Sequence, residues 1–210
     1  ASFRNALPDE TLEPFSQLMA GDMVWVTRIE STSIPKGSPV ILISCDPGYL
    51  KVYAQDYLEQ LSTVKDQTPV HFHVVSSSEE DLAKIAELRK RFEEDASIGL
   101  SYEVVSFGNL KTYSSLVRYI VTSRIMDAYE SAVFISDIDL VMRQSPDLCL
   151  KDNPEKIGLF FGIQIHTYFP WQIIKAGAGL YPNNDTSRVF LKIVGSFMMY
   201  SYINGNDGWM

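Results

Sequence analysis

The sequence predicts a Rossmann-like α/β fold, with a mostly parallel central sheet flanked by helices. Its 210 residues are enough for one full domain with a sizeable core, and 46% of them are hydrophobic, which is ordinary for a globular protein. From residue 38 onward, short apolar runs alternate with stretches of helical periodicity. This alternation is typical of parallel sheets that helices cover on both faces.

The first two strand–helix units follow residue 38. Pro39–Ser44 is an uninterrupted apolar run, as expected of a strand that is buried on both faces. Turn residues follow at 46–48, and Tyr49–Leu61 then carries apolar residues at helical spacing. The second unit joins a strand at Val70–Val75 to a helix that starts at three serines and ends at about Arg91.

Three further strands and one long helix complete the pattern. Strands are predicted at Leu100–Phe107, Ala132–Ile135 and Ile157–Gly162, and Lys111–Tyr129 has the apolar spacing of a helix. Ligands of parallel sheets bind at the carboxyl ends of the strands. We therefore expect functional residues just after positions 44, 107 and 135.

A single domain is expected over residues 1–210, since no repeat or low-complexity segment divides the chain. Residues 1–37 lack a regular pattern and are assigned to an N-terminal extension. Residues 204–210 are typical of a loop that enters another element, so we expect the C-terminus to be incomplete.

Charge and cysteine content exclude several functional classes. The net charge is −8 and the pI about 4.9, so the basic surface that nucleic-acid binding requires is missing. Two cysteines far apart make no disulfide framework, which favours a reducing compartment. No apolar run is long enough to span a membrane and the N-terminus lacks a signal peptide, so we expect a cytoplasmic protein.

Two aspartates directly follow the apolar run Ala132–Ile135. If the backbone stays extended there, the side chains of Asp137 and Asp139 point to the same side. Neighbouring carboxylates repel each other unless a cation or water lies between them. Mg²⁺ and Mn²⁺ bind one or two carboxylates together with substrate phosphates, so the pair suits a metal–diphosphate site. A pair of solvated loop carboxylates is the alternative interpretation.

The order of features around the aspartates is more specific than the pair itself. A helix carrying Arg118 and Tyr119 leads to an apolar strand and then to Ser-Asp-Ile-Asp. This segment resembles the central part of GT-A glycosyltransferases, the nucleotide-diphospho-sugar transferases of the Asp-x-Asp type. The strand that ends in Ser44–Tyr49 resembles the opening unit of that family, and Lys175–Leu180 resembles its small-residue segment beside the sugar. The resemblance covers roughly residues 38–210.

The resemblance implies roles for individual residues. Asp139 would be the main ligand of a Mn²⁺ or Mg²⁺ ion, and Asp137 would contact the ribose or share the metal. Arg118 would steady the aspartates or the phosphates, and Gly177 would let the backbone approach the donor sugar. The implied donor-binding set is Ser44, Asp46, Tyr49, Lys111, Arg118, Asp137, Ala176 and Gly177.

The implied activity is metal-dependent transfer of a sugar from a nucleoside-diphosphate sugar to a carbohydrate, lipid or protein acceptor. The family pattern leaves the catalytic residue open here, with Arg118 and Asp207 as candidates. A non-catalytic module that binds a sugar nucleotide or a protein is the alternative. A phosphotransferase of the haloacid-dehalogenase type also uses Asp-x-Asp, but on its first strand, whereas about 130 residues precede the motif here.

Histidines and aromatic residues offer weaker candidates. His71 and His73 share one face of a strand, a spacing that suits metal ligands but equally suits a buried strand. His166 follows the fifth strand and is a candidate for facing the acceptor. Four aromatic residues form either an acceptor platform or, as we favour, part of the core: Tyr168, Phe169, Trp171 and Tyr181.

Overall fold

A computed structural model describes residues 34–64, 68–78, 98–105, 109–141, 154–161 and 174–203. Within these ranges the chain forms six strands and three helices. The strands are β1 (Val40–Cys45), β2 (Val70–Ser76), β3 (Ile98–Val104), β4 (Val133–Ser136), β5 (Gly158–Phe161) and β6 (Ile174–Tyr181). The helices are α1 (Pro47–Thr63), α2 (Leu110–Tyr129) and α3 (Asp185–Ile203).

The strands form one sheet in the order β3-β2-β1-β4-β6-β5. The first four strands of this order run parallel, whereas β6 runs antiparallel to both β4 and β5. The predicted α/β class with a mostly parallel, helix-flanked sheet is therefore confirmed. The antiparallel strand β6 was not predicted, because its run of alanines and glycines has low strand propensity.

Several predicted boundaries differ from those of the structure. Strand β3 starts two residues before the predicted Leu100, and Val105 already lies beyond its end. Helix α1 starts at Pro47, two residues earlier than predicted. The predicted helix toward Arg91 lies outside the described residues from position 79 on.

Helices cover both faces of the sheet. Ile41, Ile43 and Cys45 of β1 pack with buried residues of α1, among them Leu50 and Tyr57. The alternate residues of β1, Val40 and Leu42, pack with α2 and with Leu191 of α3. Because β1 is buried on both faces, its sequence is an uninterrupted apolar run rather than an alternating one.

Two helices start at the carboxyl edge of the sheet. The Asp46 carboxylate caps α1 by accepting hydrogen bonds from the N–H groups of Gly48 and Tyr49, at 2.8 and 3.0 Å. The Asn109 side chain caps α2 in the same way. Among the described residues, no helix is long and apolar enough to cross a membrane.

Candidate functional site

The candidate site lies where β1 and β4 run side by side at the centre of the sheet. Strands β2 and β3, which follow β1 in the chain, lie on one side of β1, and β4 lies on its other side. The direction in which strands are added to the sheet therefore reverses between β1 and β4. Such a reversal opens a crevice at the carboxyl ends of the two strands. Asp46 follows β1 and Asp137 follows β4, and both therefore lie at this crevice.

A tight turn, not an extended segment, carries the two aspartates. The backbone N–H of Asp137 donates to the Gly177 carbonyl at 2.7 Å, which holds Asp137 against β6. The N–H of Leu140 then donates to the Asp137 carbonyl at 3.2 Å, closing the turn. The extended backbone assumed for the sequence argument is thus absent. Ile138 is buried in the core between the two aspartates, and Asp139 is exposed.

Arg118 forms an ion pair with the Asp137 carboxylate through its Nη1 atom. Its Nε atom also donates to the Ser115 carbonyl at 2.6 Å, which fixes the guanidinium against α2. The side chain of Arg118 is 8% exposed, whereas that of Asp137 is 39% exposed. The pair therefore has a buried cationic end and a carboxylate that still meets solvent.

Gly177 makes room for the Asp137 carboxylate. A β-carbon added at Gly177 would lie 2.6 Å from Asp137 Cγ and closer still to its Oδ2 atom. Because no side chain fits there, residue 177 must be glycine for Asp137 to keep this position. Gly177 was expected to let the backbone approach the donor sugar, whereas the contact with Asp137 is a reason for glycine inside the protein itself.

The turn is also held from the α1 face of the sheet. The Tyr57 hydroxyl donates to Ser136 Oγ at 3.0 Å, and the Ser136 hydroxyl donates to the Asp137 carbonyl at 3.0 Å. Both side chains are buried. Tyr57 and Ser136 were not predicted as site residues, since 79 residues separate them and no local pattern links them.

Lys111, Tyr49 and Asp46 lie together beside Asp139. The Lys111 ammonium is 5.3 Å from the centroid of the Tyr49 ring. A hydrogen bond and the electrostatic interaction with Tyr49 raise the pKa of Lys111, and the charges of Asp46 and Asp139 raise it further. Lys111 is fully exposed, so water and salt screen these interactions. The starts of α1 and α2 thus bring Asp46, Tyr49 and Lys111 close to the turn that carries Asp139.

The carboxylates at this edge suit a hard divalent cation. No group of three or more metal-ligating side chains is found in the part of the chain that the structure describes. Mg²⁺ and Mn²⁺ need only one or two carboxylates, however, because water and phosphate oxygens complete their coordination. Asp139 is exposed and forms no ion pair within the described ranges, and half-exposed Asp137 lies two residues away.

Other predicted donor-binding residues have varied surroundings. Ser44 is the penultimate residue of β1, and its Oγ atom is buried without a hydrogen-bond partner among the described residues. Ala176 lies in β6 next to Gly177. The catalytic candidate Asp207 lies outside the described residues, as do His166 and the aromatic residues at 168–171. Tyr181 is buried in the core, as favoured above.

The two strand histidines belong to a buried hydrogen-bond network. His71 contacts the Tyr129 hydroxyl at 2.7 Å and Ser101 Oγ at 2.8 Å. His73 contacts the same Ser101 Oγ at 2.8 Å and Glu103 Oε1 at 3.2 Å. Both ring nitrogens of each histidine are therefore engaged by polar side chains, which argues against a metal-ligand role for the pair.

One arrangement of protons satisfies this network with both rings neutral and Glu103 ionised. The carboxylate only accepts, so His73 donates to it from Nε2 and accepts from the Ser101 hydroxyl at Nδ1. Ser101 then accepts from His71 Nε2, and the Tyr129 hydroxyl donates to His71 Nδ1. The single proton of Ser101 thus couples the tautomers of the two histidines.

No family model matches this chain, and no curated protein matches it. Among solved structures it is similar to the bifunctional glycosyltransferase WbbM in its apo form, with a TM-score of 0.51 and 13% identity over 81% of this chain. It is also similar to the apo form of the glycosyltransferase GlyE of Streptococcus pneumoniae TIGR4, with a TM-score of 0.47 and 12% identity over 82% of this chain. The chain spans 35% of the WbbM chain and 44% of the GlyE chain. The likeness to WbbM shows that the chain has a glycosyltransferase fold.

Proposed function

We propose that this chain binds a nucleoside-diphosphate sugar and takes part in metal-dependent glycosyl transfer of the GT-A type. The observation that carries the proposal is the fixed position of Asp137 at the crevice between β1 and β4. Arg118 pairs with its carboxylate, and Gly177 leaves the space that this carboxylate fills. The Asp137 side chain is still 39% exposed at this crevice, so its position favours a role in binding.

The two aspartates play different parts in this proposal. Asp137 is oriented by Arg118 and by the backbone of β6, so its half-exposed carboxylate is held at a fixed point. Asp139 is exposed on the turn and free to coordinate. Together they would hold Mn²⁺ or Mg²⁺, which when bound neutralises the charge that builds on the departing nucleoside diphosphate.

The negative charge of the protein supports the idea that donor binding needs a cation at this edge of the sheet. The chain carries a net charge of −8, and Asp46, Asp137 and Asp139 all lie at the same edge of the sheet. A diphosphate brings further negative charge, and like charges at close range repel. Donor binding here therefore requires positive charge from the metal and from basic side chains. Ser44, Asp46 and Tyr49, which follow β1, would border the nucleoside.

Calorimetric titration of UDP and GDP, with and without Mn²⁺, tests the proposal. We expect Asp139→Asn to remove the part of the affinity that depends on Mn²⁺. Asp56→Asn is the matched control, because Asp56 is exposed on α1, well beyond its first turn, and the substitution changes net charge equally. Equal Mn²⁺-dependent affinity in Asp139→Asn and the parent would refute the metal site.

Turnover is tested separately from binding. We expect slow Mn²⁺-dependent hydrolysis of one UDP-sugar or GDP-sugar by the parent chain, since water can replace the acceptor. The released sugar and nucleoside diphosphate are measured by chromatography. Tight donor binding without hydrolysis of any sugar nucleotide would instead identify a binding module that lacks catalysis.

A further inference from the structure

Lys111 is held firmly at its backbone but not at its side chain. Its N–H donates to Asn109 Oδ1 at 3.0 Å, and its carbonyl accepts hydrogen bonds from the hydroxyls of Ser114 and Ser115 at 3.0 Å each. The Asn109 carbonyl in turn accepts from the Tyr202 hydroxyl of α3 at 3.2 Å. The side chain, by contrast, is fully exposed. A flexible lysine stem on a fixed backbone can change partners without moving the helix.

The ammonium of Lys111 has no carboxylate within salt-bridge distance in the described ranges. It contacts Tyr49, through a hydrogen bond and over the face of the ring. Arg118 at the same edge is different, because its guanidinium is buried and already paired with Asp137. Lys111 therefore carries a positive charge that a ligand can still engage.

The backbone at the helix starts offers little to an anion. In α1 the N–H groups of Gly48, Tyr49 and Leu50 all donate to Asp46. In α2 the corresponding groups of residues 111, 112 and 113 donate to Asn109. Because the caps use these donors, a phosphate at this edge depends on side-chain charge or on a metal rather than on the helix ends.

We propose that Lys111 is a phosphate-binding residue. Its ammonium leaves the Tyr49 ring and contacts the diphosphate of the donor. This inference rests on the proposed function and deepens it, because it divides donor affinity into two separable parts. One part depends on the divalent cation and on Asp139. The other persists without metal, depends on Lys111, and weakens as salt screens the ammonium.

Titrations in EDTA isolate the second part. In EDTA we expect Lys111→Met to weaken UDP or GDP binding roughly tenfold, the effect typical of losing a hydrogen bond to a charged group. Lys192→Met is the matched control, since Lys192 is exposed on α3 and has no part in the site. Uridine or guanosine, which lack phosphate, should bind Lys111→Met and the parent equally.

Two further readouts separate a phosphate contact from a structural role. Parent affinity in EDTA should fall as NaCl rises from about 50 to about 300 mM, and this dependence should be smaller in Lys111→Met. Addition of Mn²⁺ should still strengthen nucleotide binding by Lys111→Met. Asp139→Asn should bind the nucleotide in EDTA as tightly as the parent, and Mn²⁺ should not strengthen this binding.

Each outcome has a definite meaning. If the parent binds UDP or GDP in EDTA and Lys111→Met binds it equally well, the role of Lys111 is refuted while the proposed function stands. If the parent binds the nucleotide only with Mn²⁺, the metal-independent part does not exist and the inference fails. If the parent binds neither nucleotide under any condition, the proposed function fails and this inference fails with it.

Discussion

The carboxylate of Asp137 fills the space in which residue 177 would carry a side chain. Gly177 lies in β6, and Asp137 directly follows β4, the antiparallel neighbour of β6. The Asp137 N–H donates to the Gly177 carbonyl at 2.7 Å. Backbone and side chain of Asp137 are thus both set by the same residue of β6. The carboxylate is positioned by the sheet itself rather than by a loop.

Gly177→Ala should disturb the site through Asp137. The added methyl group would lie 2.6 Å from Asp137 Cγ, so the carboxylate must move and its contact with Arg118 must change. We expect a loss of about 1–3 kcal/mol in the free energy of unfolding, as for other overpacked sites. Nucleotide affinity should fall as well. Urea denaturation and calorimetry measure the two effects.

A double-mutant cycle provides the control for this substitution. In an Asp137→Ala background the obstructing carboxylate is gone, so Gly177→Ala should cost less than about 0.5 kcal/mol. If Gly177→Ala is equally destabilising in both backgrounds, the methyl group clashes with something other than Asp137, and the proposed coupling is incorrect.

The Arg118–Asp137 pair should respond unequally to loss of either partner. Arg118→Met leaves a half-exposed carboxylate that water can reach, so we expect a cost of about 1–2 kcal/mol. Asp137→Ala leaves a buried guanidinium without its carboxylate, and we expect about 3 kcal/mol. Urea denaturation of both variants measures the difference.

The ion pair of Arg188 with Asp127 serves as a surface reference for this comparison. Its nitrogen–oxygen distance is 2.8 Å, but both side chains are substantially exposed. Arg188→Met should therefore cost no more than about 1 kcal/mol. Were Arg118→Met to cost more than Asp137→Ala, the buried end of the pair would have been assigned to the wrong residue.

The sequence predicts the parallel part of the sheet because burial on both faces leaves a clear signal. Strand β1 is mostly apolar, and β2 is buried at every residue although it contains two histidines. No predicted end of either strand differs from the observed end by more than one residue. Strand β6 has no such signal. Gly177 and Gly179 leave room for the Asp137 carboxylate and the Tyr181 hydroxyl, and neither requirement appears as an apolar pattern in the sequence.

The candidate site was predictable in position but not in geometry. Strand order places Asp137 at the crevice, and the Asp-x-Asp spacing can be read directly. The turn at Ile138 depends on the hydrogen bond from Asp137 to Gly177 of β6, which no local pattern contains. The contacts of Lys111 with Tyr49 depend likewise on how two helix ends meet. The roles of Ser44, Asp46 and Lys111 in nucleotide binding remain predictions.

Ser101→Ala should break the buried histidine network at its centre. The Ser101 hydroxyl serves both His71 Nε2 and His73 Nδ1, so its removal leaves one ring nitrogen without an acceptor and one without a donor. Unpaired buried polar groups cost about 1–3 kcal/mol each, and we expect a total loss of about 2–4 kcal/mol by urea denaturation. Exposed Ser62→Ala should change stability by less than about 0.5 kcal/mol. A loss no larger than that of the control would show that water or a neighbour replaces the hydroxyl.

The same network should make the protein less stable in mild acid. Burial, and then the neighbouring His73, lower the pKa of His71 to about 3, whereas an unfolded histidine has its ordinary pKa of about 6.5. Below the pKa of the unfolded state, the unfolded chain therefore binds a proton at His71 that the folded chain does not. The free energy of unfolding consequently decreases as pH falls. The loss should begin near pH 6.5 and continue toward pH 3, by about 1.4 kcal/mol per pH unit.

His71→Asn isolates this contribution, because asparagine keeps one acceptor and one donor but does not titrate. Between pH 6.5 and about pH 5 the parent should lose about 2 kcal/mol more than the variant, measured by urea denaturation at each pH. The variant is less stable than the parent at neutral pH, so the comparison concerns the slopes and not the absolute values. Parallel slopes in the two proteins would mean that His71 takes up its proton in the folded state as readily as in the unfolded one, which the buried contacts with Tyr129 and Ser101 do not allow.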